Sequence, residues 1–362
     1  MKPRIKPQAH LYLSAIDNYK PGKAKIGEKK VLKLSSNENA LGSSPKASEA
    51  YKNHFSEIVR YADGSCTALR QAIAAKNNID AAQIVCGAGS DEILAFLTTA
   101  YAGIGEEIIY SEHGFLMYPI SAMRVGAKAI KVKERNLKAD IDAILLAITD
   151  KTKIIFIANP NNPTGSYLNK SEVEKLINGA AKNILIVLDH AYEEFVEAPD
   201  YPNAIELVKQ HENVVVTRTF SKIYGLASLR IGWSYSSVEI ADILNKVRGP
   251  FNVGGPAQVA ALAALQDEEF FEESKRHNNK WLKILFHEFS KLGKIKAHSS
   301  IANFILLDFG SADSCKKANE ILLSEGVILR EMHAYGLDSC LRMTIGTEEE
   351  NLRVLEIFKK FN

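Results

Sequence analysis

Cysteine is scarce: the 362 residues contain four, Cys66, Cys86, Cys315 and Cys340, with no CxxC pair among them. That excludes a zinc ribbon and a disulfide-built scaffold, and it makes a reducing, cytoplasmic setting the simplest expectation. An excess of either charge is also missing. Lys and Arg total 45 against 43 Asp and Glu, a net charge of +2, so there is no electrostatic footprint for nucleic acid or an anionic membrane. No apolar run is long enough to cross a bilayer. The opening stretch MKPRIKPQAHLYLSA is basic but has no continuous apolar segment before a cleavage-like site, so no export leader is expected. There are no internal repeats, no low-complexity tract and no spacing that predicts a metal site.

What is present is ordinary globular composition, 46% hydrophobic and 24% charged, in a chain longer than one core usually supports. From about residue 83, short β-branched runs alternate with stretches of helical spacing. QIVCGAG, EEIIYSEH, KAIKVKE, TKIIFIANP, NILIVLDHAY, NVVVTRTF and SLRIGWSY read as strands. SDEILAFLTTAYA and SEVEKLINGAAK read as helices, the second opened by a capping box of Ser171 and Glu174. This α/β pattern predicts a mostly parallel central sheet with helices on both faces. After RGPFNVGGP the texture changes to a long charged helix and isolated strands, which reads as a smaller α+β domain. The expected division is an N-terminal arm and part of the small domain over 1–50, a large domain over 51–248 and a small C-terminal α+β domain over 249–362.

Ligands bind beyond the C-terminal ends of the strands in such sheets, so the polar residues that end the runs are the candidate site. They include Asp189, Tyr192, Thr219, Ser221 and Lys222, the asparagine–proline loop NPNNPTG, and the glycine loop Gly87-Ala88-Gly89-Ser90. That glycine loop is not a dinucleotide fingerprint, because Glu92 stands where the third glycine belongs, and it lacks the lysine of a P-loop. It can still hold one phosphate on N–H groups at a helix start. Each part has a bland reading on its own: a turn, a cap, a rigid loop, a lysine reaching solvent. Their convergence on one crevice is the signal. A lysine that can condense with an aldehyde, beside an acid that keeps a pyridine nitrogen protonated, is what pyridoxal phosphate chemistry requires. A charge pair at about 4 Å is worth roughly 4 kcal/mol at an effective dielectric of 20. That shifts a ring-nitrogen pKa by several units at about 1.4 kcal/mol each.

The stretches RYAD (60–63), GAGSDE (87–92), NPNNPTG (159–165), DHAYEEF (189–195), TFSKIYGLASLRIGW (219–233) and LRMTIGT (341–347) occur in one order with characteristic spacing. On these motifs the chain resembles the aminotransferases of fold type I, and within them the histidinol-phosphate aminotransferase family, along nearly its whole length. The resemblance implies pyridoxal 5'-phosphate as cofactor and a homodimer with shared active sites. It implies amino transfer between histidinol phosphate or imidazole-acetol phosphate and 2-oxoglutarate or glutamate, in histidine biosynthesis. An aromatic amino acid aminotransferase and a pyridoxal phosphate decarboxylase of a phosphorylated amino acid are the neighbouring alternatives. A non-catalytic binding protein on the same fold would have no need of Lys222.

Residue by residue, the resemblance implies that Lys222 condenses with the cofactor and then moves the substrate's α-proton. Asp189 pairs with the pyridine nitrogen, Asn161 and Tyr192 hydrogen-bond the ring oxygen, and Phe115 stacks on the ring. Gly89, Ser90, Thr219, Ser221 and Arg230 form the phosphate site, joined by Tyr61 from the neighbouring subunit. Arg342 takes the substrate carboxylate, Tyr19 and Arg330 take a substrate phosphate, and the segment of Asn37 and Asn39 folds over the substrate. The sequence departs from the family pattern at His113, in place of a proline, at His190, in place of a glutamate, at Ala62, where a proline usually follows the tyrosine, and at Ser228, in place of a glycine. None of these removes a cofactor contact; the two histidines fall near the pocket, where they bear on substrate choice.

Overall fold

The computed structural model describes residues 7–16, 23, 25 and 31–361. Seven strands form one sheet in the order Ile84–Gly87, Gly232–Tyr235, Val214–Thr219, Leu185–Asp189, Thr152–Ala158, Glu107–Ser111 and Lys128–Val132. Every pairing is parallel except the two made by Gly232–Tyr235. The mostly parallel sheet expected from the sequence is therefore present.

The central strands read as unbroken apolar runs because both of their faces are buried. Side chains alternate along a strand, and here they alternate between two cores. Ile155, Ile157, Ile186, Leu188, Val214 and Val216 join one core, with Val173 and Leu176 of helix Lys170–Gly179. Ile154, Phe156, Leu185, Val187 and Val215 join the other, with Leu94 and Leu97 of helix Ser90–Tyr101.

A second sheet, antiparallel, runs in the order Lys296–His298, Phe304–Asp308, Cys340–Thr344 and Arg330–Glu331. It packs through Ile305, Leu307 and Leu341 against Trp281, Leu285 and Phe289 of helix Glu268–Ser290. Leu32–Lys33 pairs in parallel with Val327–Ile328, which ties this part of the N-terminal segment to the C-terminal part of the chain. Helix Gly255–Leu265 packs Ala257, Ala260, Ala261 and Ala264 into the larger core.

Helix Lys170–Gly179 begins ahead of the predicted capping box. Its N-cap is Asn169, which accepts from Glu172 N at 3.0 Å while Glu172 Oε2 accepts from Asn169 N at 2.7 Å. That reciprocal pair satisfies two otherwise orphaned donors, and Ser171 merely donates to Asn169 Oδ1 at 2.8 Å. Among the described residues no helix is long and apolar enough to cross a membrane, and no group of three or more acidic, histidine or cysteine side chains could hold a metal ion. All four cysteines are free and buried.

Candidate active site

The strand ends open onto a cavity of about 510 Å³. Asp189, the last residue of its strand, is buried in the cavity wall. Tyr118 Oη donates to its Oδ2 at 2.9 Å and Thr217 Oγ1 donates to its Oδ1 at 3.2 Å. Burial pushes the carboxyl pKa up, and the two hydroxyls oppose that by stabilising the anion. Sequence reasoning passed over Tyr118. It stacks on Phe156 at 4.8 Å between ring centroids, and in sequence it looks like one more core aromatic. Its one signal is its place three residues after Phe115, whose ring meets it edge-on at 5.9 Å.

Lys222 follows strand Val214–Thr219 and reaches back into the cavity. Its Nζ donates to Ser36 O at 3.4 Å and lies 5.7 Å from the centre of the Tyr192 ring. Burial, helped by the charge of Arg342, lowers its pKa to about 8. Tyr192 Oη accepts from Asn37 Nδ2 at 2.9 Å, and burial raises its pKa to about 12. The phenol therefore keeps its proton and remains a donor.

One end of the cavity is an anion cradle. Ser90 opens helix Ser90–Tyr101, so backbone donors and the positive end of the helix dipole face the space. Gly89 has φ +90°, and a Cβ there would strike the Arg230 guanidinium and the Asp91 carboxylate. On Gly232 a Cβ would lie 2.5 Å from Ser90 N, so the loop is packed too closely for a side chain. Arg230 donates to Ser221 Oγ at 3.2 Å and to Asp91 Oδ1 at 2.7 Å, and Ser221 N donates to Thr219 Oγ1 at 3.0 Å. Ser90, Thr219, Ser221 and Arg230 thus come together as the sequence suggested.

The other end carries two arginines. Arg342 is buried, donates to Ser35 O at 2.9 Å and to Asn162 Oδ1, and lies 5.2 Å from the centre of the Phe304 ring. Arg330 stands directly opposite Arg342 in the antiparallel register, and both line the cavity. Two like charges at opposed positions make this wall positive, so it can attract an anion.

Two expected positions, Asn161 and Asn39, do not line the cavity. Asn161 is buried, but its Nδ2 donates to Thr164 Oγ1 at 2.9 Å, and its backbone closes the turn through Ser166 O and Gly165 N. Those loop bonds turn it away, and Asn162 lines the cavity instead. Asn39 donates to Ile223 O at 2.6 Å and to Ser274 Oγ at 3.0 Å, so its amide is engaged outside the cavity, whereas Asn37 lines it. Tyr61 is 85% exposed, stacks on Phe251 at 4.7 Å, and does not line the cavity of its own chain. Tyr19 lies outside the described residues.

Residues 29–358 match the family described as aminotransferase class I and II. The chain is 50% identical over 337 residues to the histidinol-phosphate aminotransferase of Paramagnetospirillum magneticum, spanning 92% of this chain and 93% of that relative. It is 44% identical over 360 residues to the enzyme of the same name from Maricaulis maris, spanning 99% of each. Its fold matches the crystal structure of histidinol-phosphate aminotransferase from Sinorhizobium meliloti in complex with pyridoxal-5'-phosphate. That match has a TM-score of 0.89 at 23% identity, over 99% of this chain and 100% of the other.

Proposed function

The chain belongs to the class I and II aminotransferases, and from that premise we propose that it uses pyridoxal 5'-phosphate to move an amino group between glutamate and imidazole-acetol phosphate. The products are 2-oxoglutarate and histidinol phosphate, a step of histidine biosynthesis. The observation that carries the reading is that Lys222 and Asp189 face one cavity with an anion cradle at one end and paired arginines at the other.

The residues fit the cofactor. The Ser90 helix start, Thr219, Ser221 and Arg230 suit its phosphate, with a close glycine approach that admits the group. Asp189, held by two hydroxyls, suits the ring nitrogen, and Phe115 suits the ring face. Tyr192 and Asn162 suit the ring oxygen. Asn162 Oδ1 is taken by Arg342, which leaves the Asn162 amide as a donor. When bound, pyridoxal phosphate supplies an electron sink for the carbon that loses its proton. Lys222 Nζ, with a pKa near 8, takes that proton and returns it near neutral pH. Arg342 and Arg330 receive the two carboxylates of glutamate. Histidinol phosphate has no carboxylate, and its phosphate lies between the same two guanidiniums.

A homodimer follows from the same reading. Phe55, Ile58, Val59 and Tyr61 are exposed apolar or aromatic side chains close together in sequence, and Phe251 packs on Tyr61. In this proposal they meet a second copy, and Tyr61 reaches the partner's cofactor phosphate. Four free thiols support a cytoplasmic setting.

The test is a half-reaction screen. The holo-protein is titrated with histidinol phosphate, phenylalanine, tyrosine and threonine phosphate while its visible absorbance is followed. Bleaching by histidinol phosphate is expected. Bleaching by phenylalanine and not by histidinol phosphate would transfer the assignment to aromatic substrates, and release of carbon dioxide from threonine phosphate would make it a decarboxylase.

A further inference from the structure

We propose that His113 is a positioning residue for the substrate end of the cavity, tying the turn that carries Phe115 to the wall formed by Tyr335. The inference rests on reading this cavity as an aminotransferase active site.

His113 lies in the turn after strand Glu107–Ser111, which Gly114 N closes on Ser111 O at 2.8 Å. The turn is anchored from below. His113 N donates to Glu134 Oε1 at 3.2 Å, and Ser111 Oγ donates to the same oxygen. From this fixed base the ring places Nδ1 2.7 Å from Tyr335 O, a residue 222 positions away in the small domain. A carbonyl only accepts, so Nδ1 carries the hydrogen. Tyr335 ends the short helical turn His333–Tyr335, braced by its own N–H on Met332 O at 2.9 Å. An apolar contact crosses at the same place: Leu116 and Leu137 of the large domain pack on Tyr335, Met332 and Leu306.

Phe115, Tyr335 and Arg330 all line the cavity. One hydrogen bond and one small apolar cluster therefore hold the wall between the ring-stacking aromatic and the arginine proposed to take the substrate anion. Without the imidazole, Tyr335 loses this hydrogen bond to the Phe115 turn. Substrate is then met by a looser wall, while Lys222, Asp189 and the phosphate cradle stay where they are.

The experiment compares His113→Phe, which removes the donor, with His113→Asn, which keeps an N–H donor of similar reach, in the holoenzyme. His113→Phe should raise the KM for histidinol phosphate about tenfold with kcat within about twofold and cofactor retention unchanged. His113→Asn should recover most of that loss. Amide hydrogen exchange of residues 332–337, measured without substrate, should quicken severalfold in His113→Phe and return towards wild type in His113→Asn. Unchanged exchange and unchanged KM in His113→Phe would overturn the proposal. So would a joint fall of kcat and cofactor retention, which would mark a general structural role. If the wild-type enzyme bleaches with neither histidinol phosphate nor glutamate, the functional reading fails, and the exchange measurement still decides whether His113 holds Tyr335.

Discussion

At the scale of single residues, the chemistry depends on which atoms of a few side chains are already taken. Asp189 spends both oxygens on hydroxyls, from Tyr118 and Thr217, so burial does not drive it to its neutral form unopposed. Tyr118→Phe removes one hydrogen bond to a charged group, worth about 1.5–3 kcal/mol. Cofactor affinity in an absorbance titration should then weaken at least tenfold. Loss of the phenol also lets the Asp189 pKa rise further, so the acid limb of the activity profile should move to higher pH. An unmoved limb with unchanged affinity would show that the phenol only fills space. The adjacent pair Asn161 and Asn162 makes a second contrast. Asn162→Ala should lower kcat/KM by ten- to a hundredfold, because it strips a donor from the cavity and leaves Arg342 short of a partner. Asn161→Ala should instead cost stability, about 1 kcal/mol in denaturant unfolding, with little change in catalysis. The reverse outcome would restore the sequence-based choice of Asn161. Two neighbouring asparagines between prolines are indistinguishable in sequence. The loop bonds of Ser166 and Gly165 decide which one turns inward, and these depend on the folded chain.

At the scale of elements, the strands were legible because their apolar runs are the direct consequence of burial on both faces. Ile154 and Ile155 point to opposite cores, as do Leu185 and Ile186. The polar residues at the ends of those strands were legible for the same reason: each marks where a buried run stops. Contacts between distant elements were not. Glu193 accepts from His190 Nδ1 at 2.7 Å and from Arg218, and Tyr201 donates to Asn159 O, so three strand ends are tied by residues scattered over sixty positions. Nothing in the local pattern announces such a network. The helix start at Asn169 shows a smaller miss of the same kind. SxxE at 171–174 satisfies the capping rule in sequence, but Asn169 with Glu172 satisfies it two residues earlier and completes both reciprocal bonds. Asn169→Ala should cost about 1 kcal/mol of stability in chemical denaturation, and Ser171→Ala less than about half of that. Equal costs would mean the helix frays back to Ser171.

At the scale of the whole molecule, the fold brings a cradle from the large sheet and two arginines from the small one to opposite ends of one cavity. Tyr61 stays outside it, exposed beside Phe251. If a second copy completes the site, Tyr61→Phe should weaken cofactor retention in the assembled protein while light scattering still reports a dimer. A wild-type protein that is monomeric by light scattering yet fully active would remove the need for the partner. The N-terminal arm, the departures at His113 and His190, and the choice of substrate were the parts that sequence alone left open. Each depends on spatial neighbours rather than on local spacing. The central claim is that the amine at position 222 condenses with the cofactor while the carboxylate at position 189 flanks the same ring. Borohydride reduction of the yellow holo-protein, followed by digestion and mass spectrometry, tests it directly. A pyridoxyl group on the peptide containing Lys222 is expected; the group on any other lysine, or on none, would contradict the account.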